Sequence, residues 1–220
     1  MNEYKTSRAV VIERPYKADL REIKLTEPMP DAFIAKTTFS SISSGTDMKT
    51  YKGMQHPEQC CYPLVPGYET AGVIVKVPDA GADLSHFPES AQKLKTDDRV
   101  MINECRKYGN VCSAWGGGSE YTVKDSNTTN DQFDYMAKIP GNVTDIQAVL
   151  AYLACVPLKG IKRMTLRKNE TVVVIGAGMV GISAIQELKI LEPTLKVICI
   201  ERNALRRSIA EKYADLVVSP

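Results

Sequence analysis

The stretch that decides the fold runs from Thr171 to Gly181 and has the sequence TVVVIGAGMVG. Its first five residues, Thr171–Ile175, are all β-branched, which is typical of a strand buried on both faces of a parallel sheet. A glycine-rich turn, Gly176–Gly181, comes directly after them, and a helical apolar pattern then continues until Pro193. We therefore expect a strand, a tight turn and a helix, in that order.

The three glycines of this turn have separate mechanical roles in a dinucleotide-binding unit. Gly176 permits the tight turn, Gly178 lets the backbone approach a pyrophosphate, and Gly181 lets the helix pack against the strand. The pyrophosphate would lie on free amide groups at the positive end of the helix. The remaining candidate residues for this contact are Ala177, Met179 and Val180.

A second apolar strand, Lys196–Ile200, ends in Glu201, twenty residues beyond Gly181. A carboxylate in that position accepts hydrogen bonds from the adenosine ribose and repels a 2′-phosphate, so the pattern predicts NAD as the cofactor. Arg202, Arg206 and Arg207 follow closely, and an arginine there can pair with a 2′-phosphate, which leaves NADP as the alternative. A glycine turn alone could be a plain connection between a strand and a helix. Here the preceding strand, the following helix, the second strand and its terminal acid all fit a dinucleotide-binding unit.

The first half of the chain has a different pattern, in which short runs of β-branched and aromatic residues alternate with turn signals. This pattern is typical of an all-β barrel or sandwich. The runs are Ala9–Ile12, Phe33–Phe39, Ala71–Val77, Arg99–Ile102, Glu120–Val123 and Tyr135–Ile139. We interpret the charged stretch Pro78–Asp98 between them as a solvated spacer.

A helical period begins after Asp145 and marks the change between the two halves. We place the boundary so that residues 1–148 form the first domain and residues 149–220 the second. The apolar residues expected on one face of the boundary helix are Ile146, Val149, Leu150 and Leu153.

Charge and hydropathy exclude several classes of partner. The formal net charge is +2, with 28 basic and 26 acidic side chains, which gives no electrostatic footprint for nucleic acid or an anionic membrane. No apolar run approaches the roughly 20 residues that a spanning helix needs, and no apolar signal core follows the first residues. We expect a cytoplasmic protein that acts on a small molecule, with no nucleic-acid or membrane partner and with homo-oligomerisation left open.

Two motifs in the first half carry a resemblance to a known family. They are Ser44-Gly45-Thr46-Asp47 and Pro66-Gly67-Tyr68-Glu69-Thr70-Ala71-Gly72. Together with the dinucleotide unit, they resemble the medium-chain dehydrogenase/reductase superfamily, most closely the branch that contains bacteriochlorophyllide a dehydrogenase. The resemblance implies a mixed fold, an all-β GroES-like domain followed by the first half of an α/β Rossmann fold with a parallel sheet. It also implies an oxidoreductase that moves a hydride between NAD(P)(H) and an alcohol or carbonyl.

The resemblance also implies catalytic roles for three residues. Thr46 would contact the substrate oxygen, Lys49 would pass the proton on through the nicotinamide ribose, and Tyr68 would donate a hydrogen bond. Glu69 would hold an arginine or backbone groups in place. The alternative is that Thr46 and Asp47 only form a turn and that Lys49 lies on a solvated face.

Zinc-dependent members of the superfamily place cysteine and histidine ligands at the positions of Ser44 and Tyr68. With only Cys155 at the third ligand position, these residues cannot supply the nitrogen and sulfur ligands that zinc prefers, so we predict no catalytic metal. The four-cysteine structural zinc lobe is also predicted to be absent, and the cysteines are expected to be free thiols. They are Cys60, Cys61, Cys105, Cys112, Cys155 and Cys199.

The sequence stops soon after an apparent third strand, Asp215–Val218, whereas a complete doubly wound domain has two halves. We therefore expect a C-terminally truncated enzyme whose 220 residues alone are inactive. The strand Val172–Ile175 would then have a bare edge that favours self-association. The alternative function is a non-catalytic nucleotide-binding or interaction protein that keeps the GroES-like domain and half a Rossmann sheet.

Overall fold

The computed structural model describes residues 4–56, 61–127 and 136–220. The chain divides into two compact units, Met1–Val149 and Leu150–Pro220. The elements of the first unit are β1 (Thr6–Arg14), β2 (Lys17–Lys24), β3 (Phe33–Ser41), α1 (Thr46–Tyr51), β4 (Leu64–Val65), β5 (Glu69–Lys76), α2 (Glu89–Gln92), β6 (Arg99–Ile102), β7 (Glu104–Tyr108), β8 (Val111–Trp115), β9 (Tyr121–Lys124) and β10 (Met136–Lys138). Then follow α3 (Asp145–Ile161), β11 (Thr171–Ile175), α4 (Met179–Leu191), β12 (Lys196–Ile200), α5 (Ala204–Ala210) and β13 (Leu216–Val218). None of the helices in these ranges is long and apolar enough to cross a membrane.

The first unit is built from two five-stranded sheets. Their strand orders are β2-β1-β4-β8-β7 and β10-β6-β5-β3-β9. Val11 and Val65 of the first sheet pack in one cluster with Ile34 and Val123 of the second, and all four are fully buried. Because alternate residues of a strand face opposite sides, the short β-branched runs of the sequence supply one buried row each. The all-β interpretation of this half is confirmed.

The segment interpreted as a solvated spacer, Pro78–Asp98, contributes to the core instead. It contains α2, and its side chains Phe87 and Leu94 are buried in a second cluster with Phe33 and Val100. The rings of Phe33 and Phe87 meet edge to face, with centroids 5.4 Å apart. The abundance of charge in this stretch concealed a few apolar residues at helical spacing, so the spacer interpretation was wrong.

Two glycine turns touch where the chain passes from one sheet of the first unit to the other. Gly67 lies between β4 and β5, and Gly117 and Gly118 lie between β8 and β9. The amide of Gly117 donates to the carbonyl of Gly67 at 2.7 Å, and the amide of Gly118 donates to the carbonyl of Pro66 at 2.7 Å. Gly67 has a φ of 102°, and a Cβ on Gly117 would lie 2.0 Å from Oγ1 of Thr70. Only glycine therefore fits this contact.

The second unit has a parallel sheet with the order β11-β12-β13. The register pairs Thr171 with Lys196 and Ile200 with Val218. Ile185 and Leu188 of α4 are buried against Val197 and Cys199 of β12 in one cluster. The expected strand, turn, helix and second strand are all present, and α4 ends before Pro193 as expected. The Rossmann-type half-sheet is thereby confirmed.

Burial of β11 on both faces was a wrong expectation. Val173 and Ile175 are 51% and 83% exposed, whereas Val172 and Val174 pack against the α4 cluster. β11 is also the edge strand of the described sheet. Its residues have the composition of a central strand, but only one of its faces is covered.

The apolar face predicted for the boundary helix was right for Val149 and wrong for Ile146 and Leu150. Ile146 and Leu150 are 54% and 39% exposed, and the buried residues of this turn are Ala148 and Val149, which pack with Ala71. The small Ala148 lets α3 approach the sheet closely, which a pattern based on large side chains overlooks.

The expectation that all cysteines are free thiols was wrong for one pair. Cys61 and Cys112 form a disulfide, while Cys155 and Cys199 are free. Cys60 lies outside the described residues.

The contact between the glycine turns generates a prediction about stability. Gly117→Ala would force the new methyl group against Thr70 and the Gly67 carbonyl, and we expect it to lower the free energy of unfolding by roughly 1–3 kcal/mol. Gly141→Ala is the matched control, because a Cβ there meets nothing within 4 Å, and its effect should stay within about 0.5 kcal/mol. Urea unfolding followed by the fluorescence of the single tryptophan measures both variants. Equal stability of the two variants would contradict the contact.

Candidate functional site

The first cluster of candidate residues is built on the turn that leads from β3 into α1. Oγ of Ser43 accepts hydrogen bonds from the amides of Gly45 and Thr46, at 3.3 and 3.2 Å. A carboxylate oxygen of Asp47 accepts the amide of Ser43 at 2.7 Å. The turn predicted from the sequence is therefore present. It fixes Thr46 at the first position of α1.

Tyr68 and Glu69 reach this turn from the start of β5, directly after the Gly67 contact. Tyr68 is 6% exposed, and its side chain is hydrogen-bonded with the side chains of Ser43 and Thr46. Glu69 is 1% exposed and hydrogen-bonds with the side chains of Ser41 and Tyr68, rather than with the arginine or backbone groups that the sequence suggested. The structure thus brings Thr46 and Tyr68 together in one network of hydroxyl groups and a carboxyl group.

The remaining predicted catalytic residue, Lys49, lies one turn further along α1. Its side chain is exposed, and its amide donates to the carbonyl of Gly45 within the helix. Ser43 is the member of the network that the sequence analysis missed. A serine beside the Ser-Gly-Thr-Asp motif was the available signal, but nothing in its spacing distinguished it from the neighbouring Ser44, which is exposed.

The electrostatics of this network keep its hydroxyl groups neutral. Burial raises the pKa of Tyr68, the hydrogen bonds from Ser43 and Thr46 oppose this by less, and the nearby Glu69 and Asp47 raise it further. Burial likewise raises the pKa of Glu69 and that of Asp47. Tyr68 is therefore a protonated hydrogen-bond donor at neutral pH. Such a donor can stabilise negative charge that develops on a substrate oxygen.

An apolar pocket of about 540 Å³ lies beside this network in the first unit. Its lining includes Val10, Ile12, Ile42, Met48 and Asp47. Thr46 and Tyr68 do not line it, so the pocket adjoins the hydroxyl network without containing it.

The second group of candidate residues is the glycine turn between β11 and α4. Gly176 has a φ of 93°, and a Cβ on Gly181 would lie 1.9 Å from the carbonyl oxygen of Gly176. Both glycines are therefore required by the turn and by helix packing. Gly178 is different, because its φ of −75° and ψ of −176° suit any residue and a Cβ there would meet nothing within 4 Å. No side chain of the N-cap residue caps α4, so the first-turn amides of Met179 and Val180 have no side-chain cap there.

Glu201 is attached to this turn. Its two carboxylate oxygens accept the amides of Ala177 at 2.7 Å and of Asn203 at 2.8 Å, and these bonds hold the pKa of the carboxyl below its usual range. The sequence predicts a ribose contact for Glu201 and contains no signal for these backbone contacts. Of the arginines that follow, Arg207 donates to the carbonyls of Glu201 and Arg202, and the Arg202 side chain is exposed.

Within the described ranges, no group of three or more histidine, cysteine, aspartate or glutamate residues is arranged to hold a metal ion. The hydroxyl of Tyr68 is engaged with Ser43 and Thr46, Ser44 is exposed, and Cys155 is an exposed residue of α3. Oxygen donors of this kind do not form the nitrogen and sulfur shell that a catalytic zinc requires.

Comparison with known proteins shows which family and which enzymes the chain resembles. The family model of the alcohol dehydrogenase GroES-like domain matches residues 30–137. The 2-desacetyl-2-hydroxyethyl bacteriochlorophyllide A dehydrogenase of Cereibacter sphaeroides is 43% identical over 75 residues, which cover 33% of this chain and 24% of that protein.

Two solved structures share the fold over nearly the whole chain. An alcohol dehydrogenase (RspB) of Escherichia coli complexed with NADH is 24% identical, with a TM-score of 0.70 over 98% of this chain. A dehydrogenase of Sinorhizobium meliloti bound to NADP is 22% identical, with a TM-score of 0.74 over 98% of this chain. The present chain spans 63% and 62% of the lengths of those two chains. Residues 30–137 belong to the alcohol dehydrogenase GroES-like family, and the chain as a whole resembles proteins of the medium-chain dehydrogenase/reductase superfamily.

Proposed function

We propose that the protein is a dehydrogenase that binds a nicotinamide dinucleotide on the turn Gly176–Gly181. In this proposal it transfers a hydride between that cofactor and an alcohol or carbonyl group of a small molecule. The observation that carries the proposal is the geometry of Gly178. Neither its backbone angles nor its neighbours require glycine, so the space beside this backbone is open to a ligand. A pyrophosphate approaching the backbone fits that space.

The neighbouring groups fit the same ligand. The first-turn amides of Met179 and Val180 are free of side-chain caps and lie at the positive end of α4, where an anion is stabilised. The backbone of Gly176, Ala177, Gly178 and Gly181 forms the rest of this cradle. The likeness to structures that hold NADH and NADP supports a nicotinamide cofactor as the occupant.

Glu201 favours NAD as the partner of this site. Its carboxylate is charged and fixed beside Ala177, where a 2′-phosphate would be repelled and ribose hydroxyls would find an acceptor. Arg207 is already engaged with backbone carbonyls, so the exposed Arg202 and Arg206 are the arginines that could neutralise a 2′-phosphate. NADP is the second candidate for this reason.

The hydroxyl network of the first unit handles the substrate oxygen. A bound nicotinamide cofactor supplies or accepts the hydride. Thr46 contacts the substrate oxygen, and Tyr68, kept neutral by burial and the nearby carboxyl groups, donates a hydrogen bond to the same centre. Lys49, exposed on α1, exchanges the proton with solvent by way of the cofactor ribose. The residues present do not fit a catalytic zinc, and no step is assigned to one.

The remaining features of the proposal concern the whole protein. Its substrate is a small molecule, its location is the cytoplasm, and neither nucleic acid nor a membrane is a partner. β11 is the edge strand of the described sheet, and its exposed edge favours pairing with a second copy. A non-catalytic nucleotide-binding role remains the second candidate function, because the glycine turn would be kept in that case while the hydroxyl network would not be needed.

The different reasons for the glycines at positions 178 and 181 can be separated by substitution. Gly178→Ala should leave the thermal stability unchanged and weaken NADH binding by about tenfold or more, since its methyl group would occupy the pyrophosphate's approach. Gly181→Ala should lower the stability instead, because its methyl group would clash with the Gly176 carbonyl. Fluorescence titration with NADH and thermal unfolding measure the two effects. Unchanged NADH affinity in Gly178→Ala would remove the main support for the proposal.

Cofactor preference tests the role of Glu201. We expect tighter binding of NADH than of NADPH, and we expect Glu201→Gln to narrow the difference by about tenfold, or ~1.4 kcal/mol, because the negative charge is lost while one acceptor oxygen remains. Glu211→Gln, at an exposed residue after α5, is the matched control and should change neither affinity. A native protein that binds both cofactors equally would contradict the assignment of NAD.

Turnover tests the hydroxyl network. Thr46→Val and Tyr68→Phe each remove one hydroxyl with little change of shape, and each should slow hydride transfer by about tenfold or more while cofactor affinity stays unchanged. Tyr16→Phe, at a residue that is 65% exposed, is the control and should retain the native rate. Native rates in both site variants would exclude the hydroxyl network from the reaction, whereas absence of turnover in the native protein would favour the non-catalytic alternative.

A further inference from the structure

One covalent feature of the first unit is used by none of the functions discussed so far. Cys61 and Cys112 are bonded to each other, 51 residues apart in sequence, with their Cα atoms 6.3 Å apart. Cys61 is exposed and Cys112 is partly exposed. Among the cysteines whose side chains the structure describes, Cys155 is free and exposed, and Cys199 is free and fully buried.

The strands that meet beside this bond are held together without it. The amide of Cys112 donates to the carbonyl of Pro63 at 2.9 Å, and β4 pairs with β8 through Leu64 opposite Cys112. Leu64 and Val65 are 1% and 0% exposed, so burial also holds β4 in place. The sheet therefore has its own hydrogen bonds and core, and opening the disulfide removes neither.

The segment next to the bond reaches α1. Tyr62 is the neighbour of Cys61, and its hydroxyl donates to the carbonyl of Thr50 in the last turn of α1. This helix has only six residues, and it is also held by the turn at Ser43 and by hydrogen bonds between Tyr51 and Tyr16. It carries Thr46 at its first position. A chain of direct contacts thus joins the disulfide, Tyr62 and the helix that bears a candidate catalytic residue.

We propose that Cys61 and Cys112 form a thiol–disulfide exchange site for small disulfides and thiols of the glutathione class, and that its redox state sets the order of α1. In oxidation, the thiolate of Cys61 attacks a sulfur of the small disulfide, which forms a mixed disulfide and releases one small thiolate. The thiolate of Cys112 then attacks Cys61 and releases the second. The two cysteines lose two electrons to the small disulfide, and their two protons pass to the two thiolates that leave.

Reduction reverses both steps and frees the backbone at Cys61. Tyr62 then loses the covalent anchor beside it, and its hydrogen bond to Thr50 has to be maintained by a more mobile segment. α1 opens more often as a result, while the second unit keeps its own core.

The test uses the intact chain equilibrated in glutathione buffers of graded redox poise. Thiols are trapped with N-ethylmaleimide, the linked peptides are identified by mass spectrometry, and hydrogen exchange is measured on the peptide of residues 46–54. The peptide of α4 is the internal reference. Two variants separate adjacent cysteines: Cys60→Ser should keep the link to Cys112, and Cys61→Ser should abolish it. Cys155→Ser controls for the loss of a single exposed thiol.

We expect the link to form and break reversibly in the folded chain, with exchange in residues 46–54 faster by about threefold or more in the reduced state and unchanged in α4. Cys61→Ser should behave like the reduced chain in every buffer. A link that persists at every poise that leaves the chain folded would overturn the proposal, as would a link made through Cys60 or equal exchange of α1 in both states. Should Cys61→Ser fail to fold, reduction of the native chain gives the same comparison.

Discussion

The contact between Gly67 and the Gly117–Gly118 turn is the constraint on which the first unit depends. At this point the chain passes twice from the first sheet to the second, once from β4 to β5 and once from β8 to β9. Two backbone hydrogen bonds of 2.7 Å join the crossings at a distance that no side chain permits. Because Tyr68 follows Gly67 directly, the same contact sets where its hydroxyl meets Thr46. The same contact is therefore required both for the packing of the two sheets and for the placement of the candidate site.

Burial of Glu69 and Asp47 near this contact changes their protonation and lowers the stability of the folded state at neutral pH. Glu69 and Asp47 lie in the protein with raised pKa values, so the folded state holds their protons more tightly than the unfolded state does. Their contribution to stability is therefore greatest at low pH and declines as the pH rises above the unfolded values. Asp98 and Asp215 act in the opposite direction, because ion pairs with lysines lower their pKa values. The same buried acids that cost stability at neutral pH keep Tyr68 in the form that donates a hydrogen bond.

The sequence was most informative where local chemistry and fold agree. The bounds of β11 and β12 and the end of α4 followed from β-branched runs, glycine and proline, which act through the backbone of their own segment. Expectations about burial failed where tertiary packing decides. Ile175 has a core composition and is exposed, Phe87 lies in a charged stretch and is buried, and Ala148 replaces Ile146 as the residue facing the sheet.

The residues of the candidate site were likewise predictable where local chemistry restricts them and not where tertiary packing decides. The motif around Thr46 and the glycine turn were visible in the sequence because their residue types are restricted by geometry. The participation of Ser43 and the pairing of Cys61 with Cys112 were not visible, since both depend on which segments meet across sheets. A serine or a cysteine forms its contact by proximity, and neither leaves a periodic signal in its own neighbourhood.

Glu201 illustrates how a structural contact prepares a binding role. The two oxygens of a carboxylate together accept about four hydrogen bonds, and here the backbone amides of Ala177, Asn203 and Arg202 all bond to Glu201, which is 6% exposed. One acceptor position is thus left for a ribose hydroxyl. Because the side chain is already held in one orientation, binding a ribose would not have to order it, and that reduces the entropic cost of association. The hydrogen bonds to the turn are therefore compatible with the ribose-binding role that we propose, and they place the carboxylate beside the first amide of the glycine cradle.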